Sequence, residues 1–592
     1  MKIKVSDYII NFFSKNGIDT LFTITGGFSM HLNDSFGKSN LYDIYYQHHE
    51  QACGYSAVGY SKTNSKPCIV CTTAGCAATN AITPCLVAYQ DSLPIIFISG
   101  QVKSDEAIGV LNNKKMKLRH YAGADSDIIS MVKEITKYSK EIYNINEIQS
   151  ILEEVMYHLL NGRPGPIWLS IPVDIQGMFI DFDEYKIINN VDIKIDQDHN
   201  INDFEKINKL IKESQRPVII AGNGIKLGNC KEKFKYFINK YKIPVVVTML
   251  STDVIETDDE LYSGKIGLIG DRHGNFTIQN SDLIISFGCR FAQGVIGYRS
   301  EWFARDAKII YIDNDKNELE KVNLNYELKM NINLNLFFDN FVYDYIDKKE
   351  WINKTNYWKN KWINETPPME YNIVNPYHVL KYFYEVSPKN KITLASSGSI
   401  VTIVWHMVKI KEDDSFIISS QGDMGFEIPA AIGASIAEKD KLIVPILGEG
   451  SLQLNIQELQ TIKQYNLPIK ILLFNNGSYG AIQITQTNFF KNKFGVDNDS
   501  GLSFPDTEKI CYAYDIKYIC IKTNDSIEEK INEFLNYDGI ILCEIFCCIQ
   551  SRYPRLSAIK NDDGTFTNRP FEDMFPFMDR DELKNEMIIS IV

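Results

Sequence analysis

The stretch LGEGSLQLNIQELQTIKQYNLPIKILLFNN (447–476) carries an acid, Glu449, between two glycines at one end and an asparagine pair at the other. A carboxylate, a side-chain amide oxygen from Asn476 and a nearby main-chain carbonyl are hard oxygen donors, a set suited to Mg²⁺ or Ca²⁺. Glycine lets a ligand approach the backbone closely. The N–H groups where a helix begins, around Gly450 and Ser451, can meet phosphate oxygens. The combination reads as a divalent ion bridging a diphosphate. Alone, GEG is a tight turn and NN a loop cap. Their joint spacing carries the chemistry.

Such donors need elements that hold them together. KLIVPIL (441–447) is a short apolar run, so a buried parallel strand is expected. NIQELQTIKQYN places Ile456, Leu459 and Ile462 near helical spacing. Leu467-Pro468 ends that helix, and IKILLF (469–474) is the next strand. This βαβ unit sets Glu449 and Asn476 at the carboxyl ends of neighbouring strands, the edge where open α/β sheets bind ligands.

The same rhythm of apolar run, glycine-rich turn and helical pattern recurs along the chain. With 592 residues, several domains are expected. We expect an α/β chain of three doubly wound parallel-sheet domains, 1–185, 195–345 and 370–592. FDEYKIINNVDIKIDQDHN (182–200) and DKKEWINKTNYWKNKWINETPP (347–368) read as poor core material between them.

Glycine–acid–glycine, a helix, a strand and then NN resembles the motif of the thiamine-diphosphate-dependent enzymes. QGDMGFEIPAAIGASIAEKDKLIVPILGEG (421–450) resembles their acetolactate synthase-like branch in particular. That resemblance implies a pyrimidine-binding first domain, a central domain and a diphosphate-binding third domain. It implies that residue 449, Asn476 and the main-chain oxygen of Ser478 hold Mg²⁺. The family has Asp where this chain has Glu449, one methylene longer, and Mg²⁺ tolerates little distortion.

Thiamine diphosphate also requires a carboxylic acid against its pyrimidine ring, best when buried so that its pKa rises. IYYQHHEQACGYSAVGYSK (44–62) offers Glu50 at the start of a helix rich in small residues. By resemblance Glu50 is the cofactor-activating acid. Gly26 in TITGGFSM, and Gly75 and Asn80 in TTAGCAATN, match loops lining that side. Gly422 and Met424 match the pair that approach the aminopyrimidine, with Met424 as the wedge that bends the cofactor. Gly398, Ser399, Tyr479 and Gly480 fall on the diphosphate side. Ser399 and Ile400 stand where the family often has Gln–His.

Other departures lie where the second substrate would sit. Ala124 and Asp125 replace a Phe–Gln pair, and Gln483 and Thr485 replace Arg and Trp. Arg119 and His120 are candidates for a polar or anionic acceptor. Gly222, Gly224 and Arg290 are compatible with FAD, which some relatives hold in the central domain. The tail RYPRLSAIKNDDGTFTNRPFEDMFPFMDRDEL (552–583) is read as a lid over the site or as packing on a neighbour.

The expected activity is decarboxylation of a 2-keto acid, pyruvate first, then carboligation of the two-carbon unit onto a carbonyl acceptor. A nucleotide-linked keto sugar is one candidate acceptor. The rivals are a simple decarboxylase and a non-catalytic homologue. The resemblance further implies a homodimer or homotetramer with each site shared between subunits. A net charge of −13 argues against nucleic-acid and membrane partners. Twelve cysteines, including a Cys68–Cys71 pair within an apolar strand-like run, read as reduced thiols of a cytoplasmic protein.

Overall fold

The computed structural model describes residues 2–113, 117–181, 201–321, 323–342, 347–366, 373–548, 558–561 and 563–592. Three six-stranded sheets, each wholly parallel and flanked by helices, form three domains. In the first the order is Asp43–Tyr46, Thr20–Thr23, Cys68–Thr72, Ile95–Gln101, Ile167–Pro172, Tyr138–Glu141. In the central sheet it is Tyr262–Lys265, Val245–Val247, Pro217–Ala221, Leu283–Phe287, Lys308–Asp313, Tyr326–Asn331. In the third it is Ser415–Ile417, Lys391–Leu394, Leu442–Gly448, Lys470–Asn475, Ile541–Phe546, Lys517–Ile521. The central strands are Val/Ile/Leu runs buried on both faces, as parallel sheets under two helix layers require.

The first and third domains meet along two helices, Glu50–Asn64 and Glu427–Ala437. Small residues set their approach. A Cβ on Gly433 would lie 1.8 Å from the Ser56 carbonyl oxygen, and one on Gly59 would lie 2.0 Å from that of Ala430. Either substitution forces the domains apart.

Two expectations change. The described part of 347–368, residues 347–366, is not poor core material. Lys349–Trp362 is a helix, and Trp351, Trp358 and Trp362 are buried against the central domain. Those positions recur at helical spacing on one face, so the polar residues between them face outward. The other boundary stretch, 182–200, lies outside the described residues.

The tail is the second. Its described part, from Ala558 onward, packs on the chain's own central domain through Phe571, Met574, Leu583, Met587 and Ile589. Glu572 accepts a hydrogen bond from Gln279 at 2.7 Å, and Glu586 pairs with Lys354 and Lys361 at 2.9 Å. It is bound there rather than across the third-domain cavity. Residues 552–557 lie outside the described residues. Among the described residues no helix is long and apolar enough to cross a membrane. Cys68 and Cys71 are fully buried on one strand, and burial pushes the Cys71 thiol up to about 12.

Candidate active site

The strand Leu442–Gly448 ends one residue before Glu449, which begins the short helix Glu449–Leu454. The single helix expected after it is broken at Asn455–Gln457 and resumes as Glu458–Gln464. Gly448 pairs in register with Phe474, so Glu449 and Asn476 leave the sheet from adjacent strand ends. Their oxygens converge on one donor. The Ser478 N–H lies 2.8 Å from Glu449 Oε1 and 3.0 Å from Asn476 Oδ1, which also accepts the Ser478 hydroxyl at 2.8 Å. The two asparagines have different tasks. Asn475 Nδ2 is tied to Glu544 at 2.7 Å, away from Glu449, and only Asn476 faces the cavity.

Glu449 is 4% exposed. Its partners are main-chain N–H groups rather than a cation, and burial pushes its carboxyl up to about 7 despite them. A divalent ion would supply the missing positive charge. Among the described residues no group of three or more His, Cys, Asp or Glu forms a metal cluster. The candidate donor set is instead one carboxylate, one amide and one carbonyl.

The cavity beside it has a volume of about 270 Å³ and is lined, among the described residues, by the third domain alone. Gly398, Ser399, Gly422, Met424, Glu449, Gly450, Ser451, Asn476, Ser478, Tyr479 and Gly480 all contribute. The Ser399 hydroxyl is buried there with no protein partner. Gly450 is dictated by close approach, since a Cβ would lie 2.3 Å from the Tyr479 ring and 3.4 Å from Met424 Cε. The Ser451 hydroxyl donates to Glu427 at 2.6 Å, so a contact from Ser451 to a ligand falls to its main chain.

Glu50 lies on the other side of the interface between the first and third domains and lines no part of that cavity. It is half-buried, not enclosed as the sequence suggested, and Asn80 Nδ2 donates to Oε2 at 3.0 Å from an exposed position. The loop before it is fastened to the third domain. Glu458 accepts from the Gln47 amide and the His48 N–H, both at 3.2 Å, and Asn455 donates to Gln51 at 3.3 Å. Gly75, at φ +67°, holds the next loop where a Cβ would meet the Ala124 carbonyl at 2.6 Å. Gly26 abuts Thr73 on the same side.

None of the second-substrate candidates lines the third-domain cavity. Arg119, His120 and Thr485 are exposed, and the Thr485 hydroxyl bonds back to Ala481 at 3.1 Å. Asp125 accepts the Ile108 N–H at 3.0 Å, and its other carboxylate oxygen is buried without a partner. Gln483 is half-buried. Gly224 and Arg290 line a separate cavity of about 490 Å³ between the first and central domains, and Gly222 packs against Gly288 of that lining. The two glycines there are needed for packing, because a Cβ on either would meet Gly288 within 2.7 Å.

Sequence reasoning missed Glu427 and Glu458, both fully buried. The signal for Glu427 was available: a single acid in the otherwise apolar, small-residue run FEIPAAIGASIA.

Three family descriptions match in the order of the three domains. They are the N-terminal TPP binding domain of thiamine pyrophosphate enzymes at residues 3–128, the central domain at 204–336, and the C-terminal TPP binding domain at 396–545. The probable acetolactate synthase large subunit of Methanocaldococcus jannaschii is 30% identical, over 90% of this chain and 90% of that protein. Acetolactate synthase 3 of Brassica napus is 28% identical, over 92% of this chain and 83% of its own length. The acetolactate synthase large subunit of Cyanidium caldarium is 26% identical over 94% and 95%. With matching domains in the same order and a relative of that identity over nearly its whole length, the chain belongs to the thiamine-diphosphate-dependent enzymes, in their acetolactate synthase-like branch.

Proposed function

We propose that the chain decarboxylates a 2-keto acid, pyruvate first among them, and joins the resulting two-carbon unit to a small carbonyl acceptor. The supporting observation is the third-domain cavity, where Glu449, Asn476 and Ser478 oxygen groups, the unpaired Ser399 hydroxyl and Met424 meet at one sheet edge. These residues fit a diphosphate and its divalent ion. When bound, thiamine diphosphate supplies an electron sink for loss of carbon dioxide. Glu449, Asn476 and the Ser478 carbonyl would hold the ion. The Ser399 hydroxyl and the main chain at Gly398, Gly450, Ser451 and Gly480 would take diphosphate oxygens, and Tyr479 packs over Gly450. Met424 and Gly422 shape the space for the rings. Glu50, steadied by Asn80, would meet the pyrimidine ring and would hold or move a proton there. Gly26 and Gly75 line that side.

Glu50 lines no part of the cavity in one chain, and we assign each complete site to two subunits, Glu50 from one and the cavity from the other. A homodimer is the smallest such assembly. The names of the relatives give no support to a nucleotide-linked keto sugar as acceptor. Pyruvate as its own acceptor gives acetolactate. The test is to incubate the chain with thiamine diphosphate, Mg²⁺ and pyruvate and to identify products by mass. A ligated product is expected. Acetaldehyde alone would make the protein a simple decarboxylase, and cofactor binding without any turnover would make it a non-catalytic homologue.

A further inference from the structure

We propose that Glu427 is a positioning residue for the diphosphate half-site, a clasp that joins the three segments lining the cavity and thereby sets cofactor affinity. This rests on reading that cavity as the cofactor site. Glu427 opens the helix Glu427–Ala437 and is 0% exposed. Oε1 accepts the main-chain N–H groups of Ser396 and Ser397 at 3.1 and 3.3 Å, immediately before Gly398 and Ser399. Oε2 accepts the Ser451 hydroxyl at 2.6 Å. The Ser451 oxygen in turn accepts the Gly425 N–H at 2.8 Å, next to Met424. One carboxylate therefore ties 396–399, 422–425 and 449–451 together.

A second strap runs in parallel, from the Ser396 hydroxyl to Asp423 Oδ1 at 3.3 Å. Tyr55, from the first-domain helix, faces both Asp423 and Glu427. A buried carboxylate is unfavourable unless its lone pairs are filled, and apolar residues often replace such groups without loss of stability. Here the donors that fill them come from cavity-lining segments. Burial pushes the carboxyl up to about 7, which the Ser451 hydroxyl and the N–H donors oppose. Loops held in this way keep N–H groups and hydroxyls aimed at a ligand before it arrives, and misplacement of such groups lowers affinity steeply.

The test compares the full-length chain with Glu427→Gln, Glu427→Ala and a control, Glu572→Gln. Glu572 is equally buried but bonds Gln279 and Arg305 at the tail. The readouts are thiamine diphosphate affinity by calorimetry at saturating Mg²⁺, melting temperature without cofactor, and turnover at saturating cofactor. Glu427→Ala is expected to weaken binding about 30-fold, the scale of leaving buried donors unpaired. Glu427→Gln, which keeps one acceptor oxygen, should weaken it about fivefold. Turnover at saturation should stay within about threefold, because the clasp acts on binding. The Glu572→Gln control should lower the melting temperature and leave affinity unchanged. If Glu427→Ala does not fold, Glu427→Gln decides. Unchanged affinity in Glu427→Gln overturns the clasp, whatever happens to melting temperature. Absence of binding by the unaltered chain overturns the cofactor reading and the clasp with it.

Discussion

The two halves of the proposed site are built differently. The third-domain half is finished within one chain: Glu449 is almost wholly buried, Gly450 leaves room only for Tyr479 and Met424, and the lining loops are cross-tied through Glu427 and Ser451. The first-domain half is open. Glu50 is half-buried and receives one side-chain hydrogen bond, from an exposed Asn80. Ion and diphosphate binding needs donors fixed in advance, which local loops and glycines supply. Glu50 is half-buried and would be enclosed only once another surface covers it. On the proposed reading, metal and diphosphate binding would belong to the single chain, whereas proton transfer would belong to the assembly.

The largest expected effect breaks the open half alone. Glu50→Gln should keep the fold and the cofactor-free melting temperature yet cut turnover by about 100-fold or more, as loss of a proton-transfer group does. Steady-state kinetics beside thermal melts checks this, and near-normal turnover would remove Glu50 from the site.

The next effect sharpens the closed half. Burial pushes the Glu449 carboxyl up to about 7, and a bound ion would take its ionised form, so the proton would leave on binding. Mg²⁺ affinity should therefore rise about tenfold between pH 6 and pH 8, a trend calorimetry at several pH values reads directly. In the metal-free protein the sign is opposite. A carboxyl raised by burial is stable in its neutral form, so its contribution is full below the unfolded pKa and is lost as pH rises through 7. Glu449→Gln should flatten that fall in a series of melts.

The smallest effect concerns one methylene. Glu449→Asp should leave Mg²⁺ affinity within about threefold of the original or tighten it, since Asp keeps the same donor type on a shorter arm. Abolished binding in a metal titration would mean that the loop at Asn476–Ser478 is shaped for Glu.

Much of this was legible in the residues. The apolar runs 441–447 and 469–474 are strands, and their adjacency follows from the βαβ rule that placed Glu449 beside Asn476. The break at Asn455 was not legible, because the helical spacing of Ile456, Leu459 and Ile462 continues across it. What breaks the helix is tertiary: the Asn455 amide is drawn to Gly425 and Gln51. The tryptophans of 351–362 were misjudged because average polarity hid a one-sided stripe. Glu427 stands out in the sequence as a lone acid in an apolar, small-residue run, but only its long-range partners give it a role. A site shared between subunits came from the resemblance alone, since no residue pattern carries it.

The most direct test of two half-sites on separate chains is subunit complementation. Glu50→Gln and Asn476→Ala chains, each inactive alone, are co-expressed with different tags and purified together. If each site takes Glu50 from one subunit and the ion-binding edge from the other, every mixed dimer holds one intact site. A statistical mixture should then recover about a quarter of the original turnover. Continued inactivity of the mixed dimers would contradict the account, because it would place Glu50 and Asn476 in the same site on the same chain.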